Sequence, residues 1–484
     1  MKKQLQILIL LLLSSLAYPQ VWTPPVNISN LSGYCMDPNM VIDHNGVIHA
    51  VWSYRIDNDN YWKIMYSKSE DDGLTWSAPY DVLQNTSLWM SQPHIACDNS
   101  GRFLYVTYDY NTMDPANMLV YMVICDRGQW GIPIQICNNM LGSYYNNVIV
   151  DNDNKVYAFW SNHNLKTFYR YLENDEWSDI KQPYYNNLPD FYALYNCRVD
   201  SANTLKWAGY STQGMSTGYY NQAYFEFNPA TNQWSIPYIF TGRKASIGNA
   251  IDLDKNGNPQ IAFREITNDS TPPNTGTFYT SGINQQWSKP ELVIENDPEC
   301  QQIAIDQNDQ PNIVDMEENG NGFKLVHYQK INNKWVSTTI DTAGNILYGG
   351  KLLFYKNCLY LTYFKSQIPG EMHSDVVLTK YDVITGLEQL KKEDINLTIF
   401  PNPFETETNV AFSLNQKTSI NLSVYDLNGR QIITLINEDK TPGRYQTLWN
   451  GRDQNGKEVN SGLYLVHLQW GRNTVTRPVE YSKQ

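Results

Sequence analysis

Apolar and polar residues alternate along most of the chain in short runs separated by Asn, Asp and Gly, the pattern of half-buried β-strands joined by tight turns. The stretches NMVIDHNGVIHAVWSY (39–54), PHIACDNSGRFLYVTYDY (93–110) and IDLDKNGNPQIAFRE (251–265) each read as a hairpin, and KIMYSKS (63–69) as a third strand that follows one. A tryptophan, usually followed by a small or polar residue, then recurs at 22, 76, 130, 177, 234, 287 and 335. Successive spacings of 54, 54, 47, 57, 53 and 48 residues give a period near 50, that of a propeller blade.

Four strands per period make one antiparallel blade. Hairpins beginning near 38, 92, 146, 195, 248, 300 and 350 predict an all-β, seven-bladed β-propeller, with six blades as the alternative count. The seventh hairpin unit, which ends in VVLTKYDV (376–383), has no tryptophan strand of its own, whereas VWTPPVNI (21–28) is a tryptophan strand without a blade. Pairing the two closes the ring and removes a sheet edge that would invite aggregation.

One turn is more specific than the rest. Ser69-Glu70-Asp71-Asp72-Gly73-Leu74-Thr75-Trp76 matches Ser-x-Asp-x-Gly-x-Thr-Trp at every defined position, with Ser69, Asp71, Gly73 and Trp76 as its structural residues. Here the sequence resembles the sialidase-like propellers with BNR repeats, or Asp boxes, over roughly residues 21–385. An Asp at this place accepts turn N–H groups, Gly supplies a positive φ, and Trp packs between blades. The motif specifies architecture rather than activity.

From about Leu390 the tryptophan period stops and NLTIFPNPF (396–404) opens a new series of alternating strands with Asn-Gly turns. Pro401-Asn402-Pro403-Phe404, Val424-Tyr425-Asp426-Leu427-Asn428-Gly429, Trp449-Asn450-Gly451-Arg452-Asp453 and Ser461-Gly462-Leu463-Tyr464 closely resemble the flagellar-hook-capping type Ig-like domain and the C-terminal sorting domain of type IX secretion substrates. The resemblance implies an Ig-like β-sandwich over 386–484 and recognition of this tail by the secretion machinery. An ordinary adhesive module is the alternative.

The other end agrees with export. Lys2 and Lys3 precede an apolar run, Ile7 to Leu13, followed by Ser14, Ser15 and Ala17, the order of a signal peptide over residues 1–20. The run is too short to span a bilayer, so no membrane span is expected in the mature protein. The expected location is outside the bacterial cell, secreted or on its outer surface, reached through the periplasm. A net charge of -13 argues against nucleic acid as a partner and is neutral about glycans. The seven cysteines are scattered, odd in number and mostly within apolar strand patterns, so they read as buried thiols rather than a disulfide framework or a zinc site. Asp252-x-Asp254-x-Asn256-Gly257 opens like a calcium loop but has Phe263 where a bidentate carboxylate is needed, and His49, His94 and His163 lack ligand spacing. No metal or cofactor is expected.

Function is then sought on one face. The strand-one-to-two and three-to-four turns are short and repetitive, while the loops at the other end of the strands are long and aromatic. Those loops carry Trp89, Tyr144, Tyr145, Tyr184, Tyr185, Tyr219 and Tyr220 beside Asn and Gln, a composition that suits the apolar faces and hydroxyl edges of sugars and makes a glycan or polysaccharide the expected partner. A sialidase needs three arginines on the substrate carboxylate, a Tyr–Glu nucleophile pair and an acid. Arg55 with Asp57 or Asp59, and Arg264 with Glu265, are the nearest residues, but Met36-Asp37-Pro38 stands where that family has Arg-Ile-Pro. A polysaccharide lyase would draw on Arg55, His49 and Tyr54. With no complete catalytic set, the sequence reads as a glycan-binding protein, with a sialidase-like hydrolase, a lyase, or a structural or adhesive surface protein as alternatives.

Overall fold

The computed structural model describes residues 22–483 apart from 57–60, 84–88, 112–117, 139–142, 163–165, 184–190, 212–220, 241–244, 267–274, 285, 296–301, 320–321, 332, 344–346, 367–372, 384–396, 415–416, 428, 442 and 471–472. The signal-peptide reading of 1–20 therefore falls outside the described residues. The chain divides into two compact units, 1–383 and 384–484, and the described residues are all-β with no helix.

In the first unit the described strands form seven antiparallel sheets. Their innermost strands are Tyr34–Ile42, Trp89–Cys97, Ser143–Val150, Phe191–Val199, Ala245–Leu253, Gln302–Ile305 and Leu347–Tyr355. Each inner strand packs beside the next, and the seventh packs beside the first, so the sheets close into a ring. The inner strands begin up to four residues before the hairpin starts read from sequence, except in blade six. A register shift explains the longer strands: bulges between Met36/Asn39, Ser91/His94, Tyr144/Asn147, Tyr192/Asn196, Ala245/Asn249 and Gly349/Lys351 let each strand run on toward the loop side.

The orphan strand does what its pattern requires. Val26–Asn27 pairs antiparallel with Asp375–Asp382, Val26 opposite Leu378 and Asn27 opposite Val377, and so becomes the outer strand of the last sheet. Trp22 just before it is buried against His327 of blade six and Tyr381 of blade seven. The other repeat tryptophans behave alike: Trp130 lies on Tyr66, Trp234 on Tyr169, Trp287 on Tyr224 and Trp335 on Tyr279, each against the preceding blade. Burying an aromatic of this size removes about 150–250 Å² from water, which makes the tryptophans the main apolar joints between blades.

The turn face is a repeated hydrogen-bond device. In the first hairpin of blades one, three, four, five and six, an aspartate (Asp43, Asp151, Asp200, Asp254, Asp306) accepts the backbone N–H groups two and four residues on. Asp254 is thereby committed to Asn256, Asn258 and the Asn258 side chain, the role of a turn residue. The Asp box is a tighter version. Ser69 Oγ donates to Asp71 Oδ1 at 2.9 Å, Thr75 N–H and Oγ1–H donate to the same carboxylate at 2.8 and 2.6 Å, and Trp76 Nε1–H reaches the Gly73 carbonyl at 3.3 Å. These donors hold the Asp71 carboxyl down at about 2. Cys35, Cys125, Cys137, Cys197 and Cys358 are buried free thiols and Cys97 is half-buried.

The second unit packs a three-stranded sheet and a four-stranded sheet around Trp449, Phe404, Phe412, Val424 and Val466. The motif residues are its joints. Asn402 donates from Nδ2 to the Pro478 carbonyl at 3.0 Å and accepts the Glu480 N–H at 2.8 Å, fastening the Pro-Asn-Pro segment to the last strand. Phe404 packs on Trp449 and Tyr481, and Asp426 and Asp453 cap their hairpin turns.

Candidate functional site

The six inner-strand bulges crowd the loop-side mouth of the propeller axis with side chains whose backbone is held open. Asp37, Gln92 and Tyr145 have φ of 51°, 53° and 58°, a region that non-glycine residues enter only when their surroundings fix it. The fixing groups form one network across three blades. Gln92 N–H donates to Asp37 Oδ2 at 3.3 Å, Asn146 Nδ2 donates to the Gln92 carbonyl at 2.9 Å and to Asp109 Oδ1 at 2.8 Å, and Tyr145 N–H donates to Asp109 Oδ2 at 3.1 Å. Asn146 and Asp109 are buried; Asp37 is half-buried.

Burial dominates the charge state of this network. It pushes Asp109 up to about 7, against the pull of three N–H donors and with a further push from Asp37. Asp37 is raised to about 6 by the same desolvation. A carboxyl in that range is a proton donor as well as an acceptor near neutrality, so the mouth can offer both halves of a hydrogen bond to a hydroxyl.

Across the mouth, Tyr210 is buried and its hydroxyl accepts the Gly248 N–H of the next bulge, with Arg264 and Tyr145 as charged and phenolic neighbours. Burial raises the Tyr210 phenol far above its ordinary range although Arg264 pulls the other way. A tyrosine so held is not a base at neutral pH. The geometry supplies acceptors, donors and aromatic surface.

The sequence candidates fall in several places. Arg55 is half-buried at the end of its strand, its guanidinium 5.9 Å from the Tyr34 ring and 5.1 Å from the Trp62 ring, while Asp57 and Asp59 lie outside the described residues. Arg264 is half-buried and Glu265 buried, on adjacent positions of blade five with opposite pleat directions. The structure does not unite the three lyase candidates. His49 sits at the turn end of Ile48–Arg55, with Nδ1 2.8 Å from the Tyr66 hydroxyl, and the strand rise places Arg55 about 20 Å away. Tyr54 donates to the Ser32 carbonyl at 2.7 Å. Nor do the described arginines of this unit make an obvious triad. Arg102 and Arg127 pair with Asp126 on the turn face, Arg170 bonds outer-strand carbonyls, and Arg198 pairs with Asp252.

Of the aromatic candidates, Tyr184, Tyr185, Tyr219 and Tyr220 lie outside the described residues, as do the side chains of Trp89 and Tyr144. Trp89, Tyr144 and Tyr145 belong to inner strands rather than to loops. Tyr145 is the one whose described position reaches the mouth. Asp109, Asn146 and Tyr210 carry no signal in the sequence motifs, and Asp37 enters there only as the middle residue of Met36-Asp37-Pro38. The mark they leave is local: Asp37-Pro38 and Gln92-Pro93 stand at matching inner-strand positions, and Tyr108-Asp109 ends the neighbouring second strand. A groove of about 640 Å³ near His49, Tyr66, Lys68, Arg102 and Trp130 lies on the turn face instead. Arg102 there is already bidentate to Asp126 at 2.7 and 2.8 Å.

Seven sheets in a closed ring, followed in the chain by a separate sandwich, define a β-propeller with a C-terminal module. The sequence over residues 398–479 matches the family model of the secretion system C-terminal sorting domain. The second unit is such a domain, and the protein is a bacterial one secreted or anchored at the outer cell surface by type IX secretion. No curated protein matches the chain. Among solved structures it is similar to a polysaccharide lyase of family PL25, an ulvan lyase, at 12% identity over 76% of this chain and 99% of that one, with a TM-score of 0.53. A protein of unknown function from Dyadobacter fermentans aligns at 11% identity over 75% and 100% with a TM-score of 0.49. A Trypanosoma rangeli sialidase mutant aligns at 12% identity over 97% and 88%, TM-score 0.41. At these identities the likeness is one of fold.

Proposed function

We propose that this protein is an exported glycan-binding propeller that holds its ligand at the axial mouth without a catalytic cycle of its own. The observation that supports this is the Asp37–Gln92–Asn146–Asp109 network. It presents carboxyls able to donate and accept beside Tyr145, while Tyr210, which has Arg264 as its neighbour, is locked by burial. Sugar hydroxyls need such paired donors and acceptors, and their apolar ring faces need aromatic surface. In this reading Trp89, Tyr144, Tyr184, Tyr185, Tyr219 and Tyr220 extend the surface around the mouth.

A second reading, a carbohydrate-active enzyme, draws support from Arg264 close to the mouth residue Tyr210, a cation able to neutralise a uronate carboxylate. One solved ulvan lyase holds -[GlcA(1-4)Rha3S]-, a chain with an acid sugar.

A glycan array with the full chain, followed by calorimetry on the best ligand, tests the first reading. Replacing Tyr184 and Tyr185 together by Ala should weaken binding by about tenfold or more, since each ring stack contributes on the order of 1 kcal/mol, and leave the unfolding midpoint unchanged. Binding unaffected by that change and by Asp37→Ala would sink the mouth assignment. Steady release of unsaturated uronate from an acidic polysaccharide would replace the binder with the lyase.

A further inference from the structure

Below the mouth the inner strands enclose an axial cavity of about 250 Å³. Two layers line it, because side chains two apart on a strand share a face. The deeper layer is apolar, with Val41, Ala96, Ile149, Val199 and Leu353. The upper layer consists of Asn39, His94, Asn147, Cys197 and Lys351, from five blades.

The charges in this layer do not cancel. Arg198 is paired with Asp252, Nε to Oδ1 at 2.8 Å, and Asp252 Oδ2 also accepts the Ile305 N–H at 2.8 Å. That carboxylate is therefore spent. Among the described residues the Lys351 ammonium makes no close ion pair or hydrogen bond to an acceptor; Asp252, engaged by Arg198, attracts it only from a distance, and Arg198 repels it. A partly buried cation whose nearest carboxylate is already committed to an arginine either gives up its proton or takes an anion. The remaining polar groups favour the second course. Asn39 Nδ2 approaches His94 Nδ1 at 3.4 Å, which leaves His94 Nε2 as an N–H donor, and burial keeps that imidazole neutral, its titration pushed down to about 3. Cation and neutral donors thus border one small space whose floor is apolar.

We propose that the axial cavity is an anion site, in which a single carboxylate, sulfate or halide sits against the Lys351 ammonium with the His94 N–H as supporting donor. The anion comes either from solution or as an acid group of a bound glycan. This assignment stands whether or not the mouth above binds sugar. Burial and Arg198 lower the empty-site lysine to about 7, with Asp252 opposing, and a bound anion raises it again.

The test uses the full chain in a buffer with a bulky counter-anion. Sodium sulfate, acetate and chloride are titrated at low millimolar concentration while unfolding is followed, alongside a sulfated and a uronic oligosaccharide. Saturable stabilisation at pH 6, weakened at least tenfold in apparent affinity at pH 9 where Lys351 is neutral, supports the site. Asp252, Arg198 and Cys197 face the same amine, so the comparison is repeated in Lys351→Met, which should abolish the effect, and Lys351→Arg, which should keep it. Response to the simple salts assigns a free anion, and response to the acidic oligosaccharides alone assigns the glycan's acid group. The wild-type pH comparison remains decisive where Lys351→Met does not fold. Absence of saturable stabilisation by every probe, or equal stabilisation at both pH values, overturns the proposal.

Discussion

Replacing Asp109 by Asn isolates the electrostatic cost of the mouth network. In the unfolded chain this carboxyl titrates near its ordinary 3.8, and in the folded protein burial moves it to about 7. Between those two values the folded state keeps a proton that the unfolded state has released. The stabilisation from this group is therefore complete below the lower value and lost as pH rises through the upper one. A displacement of that size corresponds to about 4 kcal/mol as an upper figure. The Asp109→Asn side chain cannot ionise. Its stability relative to wild type should thus improve by up to about 4 kcal/mol between pH 4 and pH 8, on top of a constant term for the altered hydrogen bonds to Tyr145 and Asn146. His94 and His327, both held near 3 by burial, titrate in the opposite sense but are common to the two proteins and cancel in the difference. Urea unfolding at a series of pH values, followed by tryptophan fluorescence, measures the gap. A gap level to within about 1 kcal/mol would refute the reasoning, since it would mean that the three N–H donors outweigh desolvation and keep Asp109 ionised throughout.

Two further outcomes follow from the fold. Gly73→Ala should destabilise the propeller by about 1–3 kcal/mol, because φ is +82° and an added Cβ meets Leu378 Cδ2 at 2.5 Å, and the melting of the propeller relative to the sandwich checks it. Deleting residues 390–484 should remove the protein from the outside of the cell and leave it in the periplasm, reached by the proposed signal peptide of residues 1–20, with the propeller still resistant to protease; fractionation of expressing cells reads this out.

The ring was legible because its causes are local and repeated. Period-two apolar runs, Asp and Asn-Gly turns and a tryptophan every fifty or so residues each act within one blade or between neighbours, so they leave a mark in the linear order. The tail was legible for a related reason: Asn402, Asp426, Trp449 and Gly451 are joints of one small sandwich, and each requires its residue type. The mouth was not legible. Asp37, Asp109 and Asn146 lie on separate blades up to about a hundred residues apart, and they become one network only through bulges that alternation does not announce. Tyr145 was read as a loop residue for that reason, since the bulge carries the inner strand past the point where strict alternation ends.

The single complete Asp box has an explanation in the same geometry. Each blade passes into the next through its outer strand, and at the junction of blades seven and one that outer strand, Val26–Asn27, is held in blade seven by contacts alone, against the entropy of a loop of over three hundred residues. The box lies on that seam. Asp72 accepts the Lys380 ammonium at 2.6 Å and the Tyr360 hydroxyl, and Gly73 lets the turn sit against Leu378. Deeper in the seam, Ser374 Oγ–H donates to the Cys35 carbonyl at 2.6 Å and the Gly33 N–H donates to His373 Nδ1 at 3.0 Å. The turns at the other junctions keep the tryptophan without the rest of the box. The residues most constrained in this propeller are thus those that close the ring on its turn face and seam. The axial mouth and the cavity beneath it carry side chains that ring closure does not require, and it is there that differences in ligand between propellers of this architecture would be written.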